Sequence, residues 1–253
     1  MKPLLYFLII LAGGCSDGGI GAKSNDSAGA SAGAGTGGSM ARFTVAGNTL
    51  YLVSSTTLRA YDVKDSRNPI PGQETKLGFG VETIFPYGKN LFIGTQTGMI
   101  IYDASREGDP RHLSTYSHIR SCDPVVVQGN LAYVTLRNGT PCGGGINVLE
   151  VIDVSDLRAP KILKSFPMQS PHGLGVDGNV LFVCEGDSGL KLFDLTDPIN
   201  PKLLQHLQDV RSYDVIPSRD LLIVTGKDGI YQYSYADRKT LKLLSTLPVE
   251  PPV

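Results

Sequence analysis

Five residues recur at one register of this 253-residue chain: Ala41, Glu82, Asp123, His172 and Tyr213, spaced by 41, 41, 49 and 41 positions. Two carboxylates, an imidazole and a phenol brought to one place could hold a hard cation through oxygen, or a transition metal through His172. Glu82, Asp123 and His172 would be the ligands of such an ion. The carboxylate pair could instead do acid–base work on a sugar. The plainer reading is a polar, hydrated mouth, with Arg42, Arg120, Arg211 and Asp214 close by to pair with the charges. No stronger catalytic pattern competes. Gly143–Gly145 lacks the Gly-Lys-Ser/Thr of a P-loop, no Gly-x-Ser-x-Gly occurs, and His112, His118, His172 and His206 fall in no His-Glu-x-x-His spacing. No cofactor is expected beyond the option of a divalent cation.

What must position these residues is a repeat. Versions of one pattern begin at Gly47, Gly88, Gly129 and Gly178, with a worn copy near Arg219. Each unit holds four short runs rich in Val, Ile, Leu, Phe and Tyr, bounded by Gly, Asn, Asp and Pro, which is the signature of strands and hairpins. In the fourth unit the runs are Gly173–Val176, Val180–Cys184, Leu190–Phe193 and Lys202–Leu207. Gly-Asn suits the turn between the first two, because both residues accept positive φ. The Asp that ends the third run (62, 103, 153, 194) is placed to hydrogen-bond the backbone of the turn that follows.

Four strands every 41 residues is the period of propeller blades. The expected architecture is all-β: a β-propeller of about five four-stranded blades over 41–253, after a signal peptide (1–14) and a flexible segment (15–40). The first unit opens with its inner strand (Arg42–Val45) and the last ends with its outer one (Lys242–Leu247). Closure then has to come from face packing between the first and last blades; an incomplete arc is the alternative. In such a ring the five residues above line the mouth of the central channel.

The motifs Val148–Pro160 (VLEVIDVSDLRAP) and Leu190–Pro201 (LKLFDLTDPINP), each preceded by Gly-Asn and an aromatic-Val pair, resemble the LVIVD repeat of bacterial and archaeal surface proteins. The likeness extends over all five units, most specifically in the third and fourth, and least in the fifth, where Ser234 replaces the Asp. It implies an exported propeller and carries no common activity or catalytic residue.

Two further features are individual to this chain. The extra residues of the third unit lie in Arg137–Asn147, which lengthens a hairpin on the mouth face. Cys142 lies there and Cys122 in the loop entering the same blade. In an exported protein the pair reads as a disulfide rather than a metal clamp; bridging it closes a loop of about 20 residues, worth roughly 3 kcal/mol in the chain-entropy account. Cys184, inside a strand, reads as a buried small apolar residue.

The N-terminus carries an address. Lys2, the apolar run Leu4–Ala12 and Gly13-Gly14-Cys15 resemble a bacterial lipoprotein signal, whose lipidated residue would be Cys15. Multiple acyl chains anchor stably where one does not. Ser16 follows the Cys, which favours the outer over the inner membrane of the cell envelope. The Gly/Ser/Ala-rich stretch to Met40 reads as a tether with a reach of roughly 25–30 Å.

A formal net charge of −1 offers no electrostatic reason for nucleic-acid binding. Taken together, these features favour a lipid-anchored binding module, non-enzymatic, with a monomeric head presenting a face to a protein or glycan in the envelope. The alternative is a propeller hydrolase or lyase acting at the mouth through a metal or a carboxylate. A structural envelope component is a third reading.

Overall fold

The computed structural model describes residues 38–117, 124–139 and 145–249. They form five four-stranded antiparallel sheets, each a simple meander, arranged as the blades of a propeller. Blade one is β1 (Phe43–Ala46), β2 (Thr49–Val53), β3 (Thr57–Asp62) and β4 (Ile70–Lys76). Blade two is β5 (Val81–Tyr87), β6 (Asn90–Thr95), β7 (Gly98–Asp103) and β8 (Arg111–Ser117). Blade three is β9 (Val125–Gln128), β10 (Leu131–Leu136), β11 (Val148–Asp153) and β12 (Lys161–Pro167). Blade four is β13 (Leu174–Asp177), β14 (Val180–Cys184), β15 (Leu190–Asp194) and β16 (Lys202–Leu207). Blade five is β17 (Ser212–Ser218), β18 (Leu221–Gly226), β19 (Gly229–Ser234) and β20 (Lys242–Pro248). The expected strands of the fourth unit are observed within one residue at their ends.

The repeated residues are scaffold. The turn glycines Gly47, Gly88, Gly129 and Gly178 all sit at φ of 58–61°, where a Cβ is costly. The worn fifth turn forces Arg219 and Asp220 to φ of 48° and 67° instead. The corner aspartates act as expected: Asp62, Asp103, Asp153 and Asp194 each accept the amide two residues on, at 2.8–2.9 Å. In the fifth blade Ser234 takes that place, and its hydroxyl accepts the Ala236 amide at only 3.5 Å.

Glycine also opens two of the third strands, at Gly98 and Gly229, and Gly189 immediately precedes a third. Gly189 stands at φ 110°, and a side chain there would meet the Leu207 carbonyl of the neighbouring outer strand. Gly189→Ala is therefore expected to cost about 3 kcal/mol or more, since both the backbone region and the contact are unfavourable. Chemical denaturation checks this; a loss below 1 kcal/mol would show that the strand pair yields freely.

The core lies between blades. Four apolar clusters join blades one and two, two and three, three and four, and four and five. The second strands of the middle blades are accordingly buried on both faces, with all five residues of β14 buried, whereas β2 and β18 alternate between buried and half-buried. Among the described residues no cluster joins blade five to blade one. Among the described residues the expected closure by face packing is not observed; polar contacts across that junction come from Ser39 and Met40, just before β1.

Candidate functional site

The approach to β1 passes through the mouth. Gly38, Ser39 and Met40 fall within the segment assigned from sequence to the tether, yet Ser39 is only 1% exposed. Its hydroxyl accepts the Leu174 amide at 2.8 Å and donates to Asp214 at 3.2 Å. The Met40 amide donates to the other Asp214 oxygen at 3.4 Å. Gly38 and Gly173 both press on this carboxylate, leaving no room for a Cβ at either position. Burial pushes the Asp214 carboxyl up to about 6, and the donors from Val215, Met40 and Ser39 offset only part of that rise.

His172 lies on the loop before β13, and that loop is fixed by a buried acid. Glu185, fully buried at the end of β14, accepts the amides of Gln169 (3.0 Å) and Ser170 (2.6 Å) and pairs with Lys191 Nζ at 2.5 Å. The Ser170 carbonyl then accepts from His172 Nδ1 at 2.7 Å. A carbonyl only accepts, so Nδ1 carries the proton and Nε2 presents its lone pair. Arg137, the first residue beyond β10, donates from Nη1 into that lone pair. Burial holds the His172 pKa below the usual imidazole value, and the guanidinium adds to the effect. The ring is therefore neutral at pH 7.

Two other register residues, Glu82 and Tyr213, act on Arg137. Tyr213 lies 5.5 Å from His172, ring centroid to centroid, and is 37% exposed. Glu82 accepts from Gln96 Nε2 at 3.3 Å. Burial lowers the Arg137 pKa, and the charges of Glu82 and Tyr213 oppose that loss. Glu82, His172 and Tyr213 thus share one neighbourhood, as the spacing implied. Asp123 lies outside the described residues, as do Arg120, Cys15 and the Cys122–Cys142 pair. Cys184 is a free, buried thiol.

Among the described residues no three His, Cys, Asp or Glu side chains converge as a metal site. Both nitrogens of His172 are engaged, and an ion at Nε2 would have to displace a guanidinium. Of the cations expected near the ring, Arg211 pairs instead with Asp228, at 3.0 Å through Nε and 2.5 Å through Nη2. Arg42 donates to the Val81 carbonyl at 3.3 Å. Arg137, Glu185 and Ser39 are the participants that sequence reasoning missed. Arg137 lies in the insertion, outside the aligned register, and Ser39 sits in a stretch whose composition reads as coil. Glu185 is a buried acid whose counter-charge, Lys191, reaches back across the hairpin.

No protein-family model matches the chain, and no curated protein matches it. Solved structures do. It is similar to a functionally unknown protein from Desulfotomaculum acetoxidans (TM-score 0.67, 12% identity, covering 80% of this chain and 67% of that one). It is also similar to a periplasmic gluconolactonase of Pseudomonas aeruginosa (TM-score 0.59, 13% identity, 82% and 68%). The computationally designed Ika8 protein matches with TM-score 0.60 and 14% identity over 80% of this chain, which spans 59% of the length of that one. At these identities the likeness is one of fold.

Proposed function

We propose that the chain is a lipid-anchored propeller of the bacterial cell envelope that binds a protein or glycan across its mouth face, and is not an enzyme. The β-propeller is a fold compatible with an interaction module. One observation carries the reading: the residues best suited to chemistry are spent on one another. His172 is locked between Ser170 and Arg137, and the Asp214 carboxylate receives the chain's own Ser39 and Met40. What remains for a partner is the surface of loops around a filled mouth, where the insertion of blade three supplies individuality. The LVIVD-type repeat and the Cys15 signal support an exported, outer-membrane setting, with the Gly/Ser/Ala segment as the tether.

Anchoring is tested by Cys15→Ala, which should move the protein from the detergent phase to the aqueous phase. Unchanged partitioning sinks the lipoprotein reading. Catalysis is tested by offering esters, lactones and glycosides to the wild type and to Glu82→Gln/His172→Asn. Turnover by the first that is lost in the second would replace the binding module by a hydrolase.

A further inference from the structure

Phe79 is 91% exposed, and the chain around it is built to keep it so. Its loop runs from β4 into the inner strand β5, and therefore lies on the mouth face. On either side the chain is fixed. Leu77 packs against the core between blades one and two, and Val81 is 1% exposed. The Leu77 amide donates to the Thr56 carbonyl at 2.8 Å and the Val81 amide to the Ser55 carbonyl at 3.1 Å. The Gly80 carbonyl accepts the Gln96 amide at 2.8 Å. Gly78 and Gly80 stand at φ of 95° and 78°, a region that favours glycine, and a Cβ on Gly80 would meet the Gln96 side chain. A lone exposed apolar residue is ordinary. One held out on a fixed loop by two left-handed glycines is a preorganised tip.

Its surroundings indicate what it meets. Lys76, at the end of β4, and Arg42, which donates to the Val81 carbonyl, are both exposed, so cations flank the ring. An apolar tip with cations behind it fits the boundary between acyl chains and anionic headgroups. The course of the chain points the same way. Gly38–Met40 enters the head on this face, against Asp214, and residues 16–37 join that point to Cys15. As the tether of the proposed function they would span roughly 25 Å on average, less than the width of a head of this size, about 40 Å. A lipid on Cys15 therefore brings the mouth face to the bilayer ahead of the opposite one.

We propose that the rim at blades one and two docks on an anionic bilayer, with Phe79 among the acyl chains and Lys76 and Arg42 at the headgroups. This docking rests on the lipid-anchored reading. It gives one side of the rim to lipid and leaves the insertion of blade three for the partner.

The chain contains no Trp, so Phe79→Trp places a single reporter at the tip. The acylated chain, reconstituted on vesicles of phosphatidylethanolamine and phosphatidylglycerol with brominated acyl chains, should lose that emission relative to unbrominated vesicles. Ile70→Trp, at a 58%-exposed residue on the opposite face where β4 begins, should keep its emission. Phosphatidylcholine vesicles should quench Phe79→Trp less; equal quenching would remove the cations from the contact. Flotation with the vesicles reports the anchor separately. A chain that floats while Phe79→Trp stays unquenched, or while Ile70→Trp is quenched as strongly, overturns the docking and leaves the anchor standing. A chain that does not float overturns both.

Discussion

Lys191→Met is expected to destabilise the protein by about 3–5 kcal/mol, the usual cost of leaving one member of a buried ion pair alone. Glu185 has no exposed surface, and Lys191 is the cation that reaches it. After the substitution the carboxylate would keep the two amides of Gln169 and Ser170 but no counter-charge. Adding Glu185→Gln should recover most of the loss, since the amide oxygen still accepts those N–H groups and no charge remains buried. The double-mutant cycle in urea checks both statements. Simple additivity of the two losses would show that the pair is not coupled. The local consequence reaches the mouth: Ser170 orients His172, so a freed loop should also release the imidazole from Arg137. A histidine resonance that titrates nearer its ordinary value in Lys191→Met would report this.

Asp214 should make stability depend on pH in the sense opposite to most surface acids. Its folded pKa is raised by burial from 3.8 to about 6, so the folded state holds the proton more tightly than the unfolded chain. The associated stability is complete below pH 3.8, declines as pH rises, and is lost once the pH has passed about 6. The gap corresponds to roughly 3 kcal/mol. Asp214→Asn keeps an acceptor for one of the two donors, Ser39 or Met40, and removes the titration. Relative to this variant, the wild type should lose that amount between pH 3.5 and 7.5, as read from urea midpoints at each pH. Parallel pH profiles for the two proteins would rule out a buried, proton-holding Asp214. The same comparison reports on the mouth, because Gly38–Met40 lie against this carboxylate.

The two effects differ in how far they could be read from residue order. The corner aspartates, the Gly-Asn turns and the alternation of the strands follow from local backbone chemistry, so period and fold class were legible. The register that brings Glu82, His172 and Tyr213 to one mouth was legible for the same reason: a repeat of fixed length puts equivalent residues at equivalent places. Arg137 was hidden because an insertion breaks that register, and Ser39 because a small polar residue in a Gly-rich run carries no periodic signal. Glu185 and Asp214 were visible as residues but not as buried charges, since burial depends on what packs from other strands.

By itself, then, the sequence determined an all-β propeller of five four-stranded blades, with a shared channel mouth and an insertion in the third. Those features rest on turn geometry and on the two-residue period of a strand, which act over a few positions. Only the tertiary structure decided what becomes of Glu82, His172 and Tyr213. The availability of His172 depends on where Arg137 comes to rest, reaching it from the preceding blade, and on the Ser170 carbonyl that holds the ring. It also decided how far the core extends: Phe43 looks like an ordinary strand residue, and its exposure appears only beside its buried equivalents Ile84, Val125, Leu174 and Val215.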